Sequence, residues 1–167
     1  YNIKQYFDKG LLECKFCNTE AELFVAPENL VCFQLKVHES ENLPTVNFEL
    51  PDTCNSKNSV FEESGIKCYS REFYGENVYI ESAVAVCIKE LGTNVADGFK
   101  TTRFCVSVVT SFDDVEYIAK GVSMALNCDY DEEKAKTCEK WKEFFSASKV
   151  TLRDKEIEKF YNSSLYH

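Results

Sequence analysis

The chain has 167 residues, with 19 Lys and Arg against 28 Asp and Glu, 2 His and 9 Cys. That length suits one domain, or a compact domain with an appendage. A net charge of −9 repels a polyanion and argues against nucleic acid as a partner, and no apolar run approaches the roughly 20 residues of a transmembrane segment.

Residues 11–18 are an apolar entry into the pair Cys14 and Cys17. In residues 30–38, Val31, Phe33, Leu35 and Val37 alternate with Gln34, Lys36 and His38, which predicts a half-buried strand. A turn follows over 39–44, then a short strand over Thr45 to Leu50 closed by Pro51-Asp52. The polar stretch 52–65 reads as an exposed loop. The longest β signal runs from Asn77 to Leu91, with Val84, Val86 and Ile88 on one face and Ala85, Cys87 and Lys89 on the other. A glycine-bearing loop over 92–99 joins it to a return strand, Thr101 to Thr110, rich in β-branched residues.

The last third changes character. Ser111 to Asp114 fits a capping box ahead of Val115, Ile118, Ala119, Val122, Ala125 and Leu126 at helical spacing. Gly121 and Val122 weaken that helix, so a β reading of 115–127 stays open. Residues 131–145 repeat Ala135, Cys138, Trp141, Phe144 and Phe145 on one face of an amphipathic helix. Thr151 to Asp154 offers another capping box before Ile157, Phe160 and Tyr161. The expected architecture is mainly β (α+β): a disulfide-stapled antiparallel sheet over residues 10–110, with a helical C-terminal extension over 111–167 packed on it.

Nine cysteines approach the density of disulfide-stapled secreted domains, which places the chain outside the cytosol. Its start at Tyr1 without an initiator Met or a leader reads as a mature or truncated ectodomain. Asn162-Ser163-Ser164 is a glycosylation acceptor, and small residues of that kind can precede a lipid-anchor signal at a cell surface. The odd count leaves at least one cysteine without a partner in its own chain, either free and buried or bridging two chains.

The order Cys14, Cys17, Cys32, Cys68 and then two Cys-bearing strands carries a family likeness. Leu12-Glu13-Cys14-Lys15-Phe16-Cys17, Val86-Cys87-Ile88-Lys89 and Arg103-Phe104-Cys105 are its three blocks. Together they resemble the three-finger superfamily of lymphocyte-antigen and urokinase-receptor type, over about residues 10–110. The resemblance implies a disulfide-knotted β core with long loops projecting as fingers. It also implies the pairings Cys14 with Cys87, Cys17 with Cys32, and Cys68 with Cys105. Cys128 and Cys138 then close with each other, and Cys54 is left over in its polar loop to form a disulfide-linked dimer. The chain departs from the family in its length, in lacking adjacent terminal cysteines, and in its helical tail.

Chemistry-bearing motifs are scarce. A redox-active Cys-x-x-Cys needs a helix N-terminus, and Cys14 and Cys17 follow an apolar run instead. A single such pair with no repeated spacing argues against zinc, and no cofactor is expected. His38 sits at a strand end beside Glu39, as a solvated or loop-capping residue does. No nucleophile elbow or phosphate loop is present. The doublets Glu62-Glu63 and Asp113-Asp114 and the run Asp131-Glu132-Glu133 read as solvated faces or helix caps. Among 13 Phe, 9 Tyr and 1 Trp, the residues Tyr69, Phe73, Tyr74 and Phe99 stand near loops and are candidates for an anchor patch against a partner. The expected function is a non-catalytic extracellular or cell-surface binding module that recognises another protein through loops 52–65 and 92–100. A small-ligand, lipid-type carrier with an apolar cavity is the alternative.

Overall fold

Among the described residues, eight strands build one antiparallel sheet, and three helices follow them. A computed structural model describes residues 2–53, 55–76, 78–147 and 150–164. The strands are β1 (Asn2–Tyr6), β2 (Leu11–Phe16), β3 (Thr19–Ala26), β4 (Leu30–His38), β5 (Ser56–Glu63), β6 (Ile66–Phe73), β7 (Ser82–Ala96) and β8 (Phe99–Thr110). The helices are α1 (Tyr117–Leu126), α2 (Tyr130–Ala147) and α3 (Lys155–Ser164). Mainly β with a helical C-terminal segment is therefore the fold class. Among the described residues no helix is long and apolar enough to cross a membrane.

The strand order is β1-β2-β3-β4-β8-β7-β6-β5. It consists of two four-stranded meanders joined at one seam, where β4 pairs antiparallel with β8 and Cys32 lies opposite Cys105. The two halves mirror each other in register. Leu11 pairs Phe24, which pairs Cys32; Cys68 pairs Cys87, which pairs Ser107. Leu11 and Ile66 are both buried, and each follows a left-handed glycine, Gly10 or Gly65.

The β7–β8 hairpin follows the sequence pattern but is shifted toward the turn, with β7 starting at Ser82 rather than near residue 77 and running on past Leu91 to Ala96. Pairing continues to Ala96 opposite Phe99, so the 92–99 loop contracts to the turn Asp97-Gly98. Both turn residues have positive φ, 53° and 77°, the backbone that a tight two-residue hairpin requires. A bulge between Glu90 and Gly92 absorbs the change in twist along this long ribbon.

Four expectations are corrected. Residues 56–63 form edge strand β5, paired to β6 along its length, in place of an exposed loop. Residues 45–50 carry no strand; the segment 41–53 is an irregular strap. Ser111 makes no capping box: its Oγ accepts the Ala83 N–H, and Asp113 accepts from the Thr110 N–H and hydroxyl. At α3 the cap is Asp154, whose carboxylate accepts the Glu156 and Ile157 N–H groups.

Strand alternation divides the sheet into two faces. The first carries Leu11, Phe24, Leu30, Cys32, Ile66, Cys68, Ala85, Cys87 and Cys105 and is covered by helices. α1 lies on the β6-β7-β8 half, and α2 on β3, β8 and the 3-10 turn Phe7–Lys9. Gly121 permits the close approach of α1: a Cβ there would stand 3.0 Å from the Cys87 Sγ, and the buried Ser107 Oγ donates to the Gly121 carbonyl at 2.7 Å. α2 is pinned by Glu22, which accepts hydrogen bonds from the Tyr130 hydroxyl (3.1 Å) and the Lys134 ammonium (2.6 Å).

Neither α1 nor α2 lies on the second face. The strap crosses it, packing Leu43, Pro44 and Val46 beside Leu35 and Phe104, and Phe48 against Tyr69 with ring centroids 4.8 Å apart. Arg71 donates to the Pro51 carbonyl and holds the strap's far end.

Candidate functional site

The strap leaves the β1–β4 half of the second face open. Register aligns Leu12, Leu23, Phe33 and Phe104 across four strands as one apolar rung. Phe33 and Phe104 stack with centroids 4.8 Å apart. Beside this rung a groove of about 410 Å³ is lined by Ile3, Leu12, Phe16, Leu23, Phe33 and Leu35, among others. Ile3 is 57% exposed on β1, and Phe16 is exposed where β2 ends. Among the described residues β1 is the sheet's edge, paired only with β2, so one side of its backbone is open to another strand.

The expected anchor patch does not form. Tyr69 is only 5% exposed and belongs to the core beneath Phe48. Phe73 is half-buried at the end of β6, with Tyr74 exposed beside it. Phe99 lies at the far tip of the β7–β8 hairpin, where the Lys36 ammonium sits 4.2 Å from its ring centroid. Tyr69 pairs with Val86, ten residues along β7 from the Ala96 that faces Phe99, so roughly 30 Å of strand separates the two aromatic sites. His38 is exposed and hydrogen-bonded through Nδ1 to Ser40 Oγ at 2.7 Å, a loop contact. Asn162 is half-buried in the last turn of α3.

The cysteines gather in sets other than those implied by the three-finger pairing. All eight described cysteines are free thiols. Cys14 on β2 and Cys87 on β7 have three strands between them, so they cannot bond. Cys17 is exposed in the β2–β3 turn, whereas Cys32 is buried on β4. Cys68 faces Cys87 on the adjacent strand, and Cys105 lies one strand further across. Cys128 meets Cys32, not Cys138, at 3.8 Å between sulfurs. Cys54, and with it the expected interchain bridge, lies outside the described residues.

Cys32, Cys105 and Cys128 form one cluster, with their sulfurs all within 4.8 Å of one another. Cys32 and Cys105 have no exposed surface. Cys128 is partly exposed, between the end of α1 and the start of α2, and borders a surface pocket of about 290 Å³ with Lys89, Arg103, Asp129, Tyr130 and Asp131. Hydrogen bonds from Cys105 and Cys32, with the nearby Lys89 ammonium, hold the Cys128 thiol well below the ordinary range. The same contact with Cys128, the contact with Cys32 and burial push Cys105 up. Cys32 is also pushed up, because the Cys128 contact and burial outweigh the opposing Cys105 hydrogen bond. These three sulfurs are also the set of described side chains that could ligate a thiophilic ion. Sequence spacing could not reveal them, because they come from two strands and an interhelical connection 96 residues apart at the extremes.

Elsewhere on the first face, burial raises Cys68 to about 12 and also raises Cys87. The acidic run on α2 is paired locally: Asp131 pairs with Arg103 at 2.9 Å, and Glu132 and Glu133 both pair with Lys136. No protein-family model matches the chain, and no curated protein matches it.

Proposed function

We propose that this chain is a non-catalytic recognition module that binds an extended segment of a protein partner along β1, with alternate partner side chains entering the groove of the second face. The observation that carries this reading is the conjunction of an unpaired sheet edge with an apolar groove directly beside it. Strand addition supplies affinity through main-chain hydrogen bonds and selectivity through side-chain pockets at every second residue. A volume of about 410 Å³ falls in the range of ligand-binding clefts. The recognition surface is thus a sheet edge, whereas the sequence pointed to loops. An extracellular setting is part of the proposal and rests on the nine cysteines.

Selection of a displayed random-peptide library on the full chain tests the reading. Peptides with apolar residues at alternate positions should be enriched, and Ile3→Glu should weaken them about tenfold or more, because Ile burial contributes roughly 1.5–3 kcal/mol. Val60→Glu, on the opposite edge strand, should leave them unchanged. Equal binding to wild type and Ile3→Glu refutes the site. Stoichiometric uptake of a fluorescent fatty acid, blocked by Ile3→Glu, would instead establish the lipid-carrier alternative.

A further inference from the structure

The seam between the two meanders holds chemistry that a recognition groove does not use. Two buried thiols face each other across β4 and β8, and a third comes down on them from the α1–α2 connection. We propose that Cys32, Cys105 and Cys128 form a thiol–disulfide exchange site, which accepts a low-molecular-weight disulfide such as glutathione disulfide at Cys128 and resolves it through Cys32.

Access assigns the entry residue. Cys32 and Cys105 are shut off from solvent, whereas Cys128 borders the pocket with Lys89. The Cys128 thiolate attacks one sulfur of the incoming disulfide, forming a mixed disulfide and expelling one glutathione thiolate. Cys32 then attacks the Cys128 sulfur, and the second glutathione leaves with the proton that Cys32 gives up. In balance, two protein thiols and one glutathione disulfide become one protein disulfide and two glutathione thiols. Contact geometry assigns the resolving residue: the Cys32 and Cys128 sulfurs lie 3.8 Å apart in hydrogen-bonding geometry, with the Cys105 sulfur within 4.8 Å of both. Closing to the ordinary bond length of about 2.05 Å takes a movement of roughly 1.8 Å. Cys128 belongs to neither helix nor strand, so side-chain rotation and a small loop adjustment supply it. Lys89, which donates to the Leu126 carbonyl at 2.9 Å, supplies the positive charge that favours a thiolate there. Cys105 stays behind as a thiol, so the cluster holds one bond and one free sulfur.

The test exposes the reduced full-length chain to glutathione disulfide, quenches by acid and maps the cysteine peptides by mass spectrometry. The expected result is a Cys32–Cys128 linked peptide with Cys105 still a thiol. Cys32→Ser should trap glutathione on Cys128, and Cys128→Ser should leave Cys32 and Cys105 reduced. If Cys32→Ser fails to fold, the wild-type time course decides: a glutathione adduct on Cys128 must appear first and decay into the linked peptide. A Cys32–Cys105 or Cys105–Cys128 bond, or a Cys128 still reduced after exposed Cys17 has reacted, overturns the assignment. None of these outcomes depends on the β1 groove.

Discussion

Replacing Gly10 by alanine should destabilise the fold through one identifiable collision. Gly10 ends the 3-10 turn with φ 63°, and its N–H donates to the Phe7 carbonyl at 3.3 Å. A Cβ at this position would stand 2.9 Å from Cγ of Trp141 on α2 and nearer still to its Cδ1 and Nε1. Two costs add. The left-handed backbone costs a non-glycine residue roughly 1–2 kcal/mol, and forcing extra volume against a packed ring costs roughly 1–3 kcal/mol. Gly65 provides the control, with φ 74° and nothing within 4 Å of its added Cβ. Gly10→Ala should therefore cost about 3 kcal/mol and Gly65→Ala about 1.5 kcal/mol, which for a chain this size means Tm losses of roughly 6–12 °C and 3–6 °C. Thermal unfolding followed by far-UV circular dichroism measures both. In a Trp141→Ala background the cost of Gly10→Ala should fall to that of Gly65→Ala, since the collision is gone. Equal losses at the two glycines in the wild-type background, or an unchanged Gly10→Ala cost without the indole, would refute the packing argument.

Two further outcomes are expected. Ser107→Ala removes the buried hydroxyl bound to the Gly121 carbonyl and should cost about 1 kcal/mol in urea unfolding, with the m-value unchanged. Tyr130 is pushed up from its ordinary value of 10.0 by burial and by the Glu22 carboxylate. Its contribution to stability is fully present below pH 10 and is lost as pH rises beyond it, because the unfolded chain ionises there while the folded chain holds its proton. Tyr130→Phe should flatten that alkaline loss in a stability–pH series, and an unchanged alkaline limb would contradict the assignment.

The legible parts of the chain were those whose burial leaves a regular mark. β7 and β8 lie in the sheet interior, and the alternation of Val84, Val86 and Ile88 against Ala85 and Cys87 matches the two faces as found. The aromatic and acidic faces of 131–145 marked α2 in the same way. β1, β3 and β5 escaped notice for a physical reason. β1 and β5 are edges with solvated residues, and β3 places Glu20 and Glu22 on the helix side, where Lys15 and Lys134 neutralise them. On β4 the alternation is as found, but its Val31-Phe33-Leu35-Val37 face is the one that α1 and α2 do not cover. That inversion hid the groove. The thiol cluster was illegible because its members meet only after β4 has found β8.

That meeting has a kinetic meaning. Every strand pairing except β4–β8 joins neighbours in sequence, whereas the seam brings together residues as far apart as Leu30 and Ser107. Closing so long a loop carries an entropic cost that local hairpins do not. Each meander can assemble on its own clock, and their docking along β4 and β8 becomes the slow step. A chain cut within the strap 41–53 should then behave as two fragments that recover the native fold on mixing, at a rate that depends on their concentration.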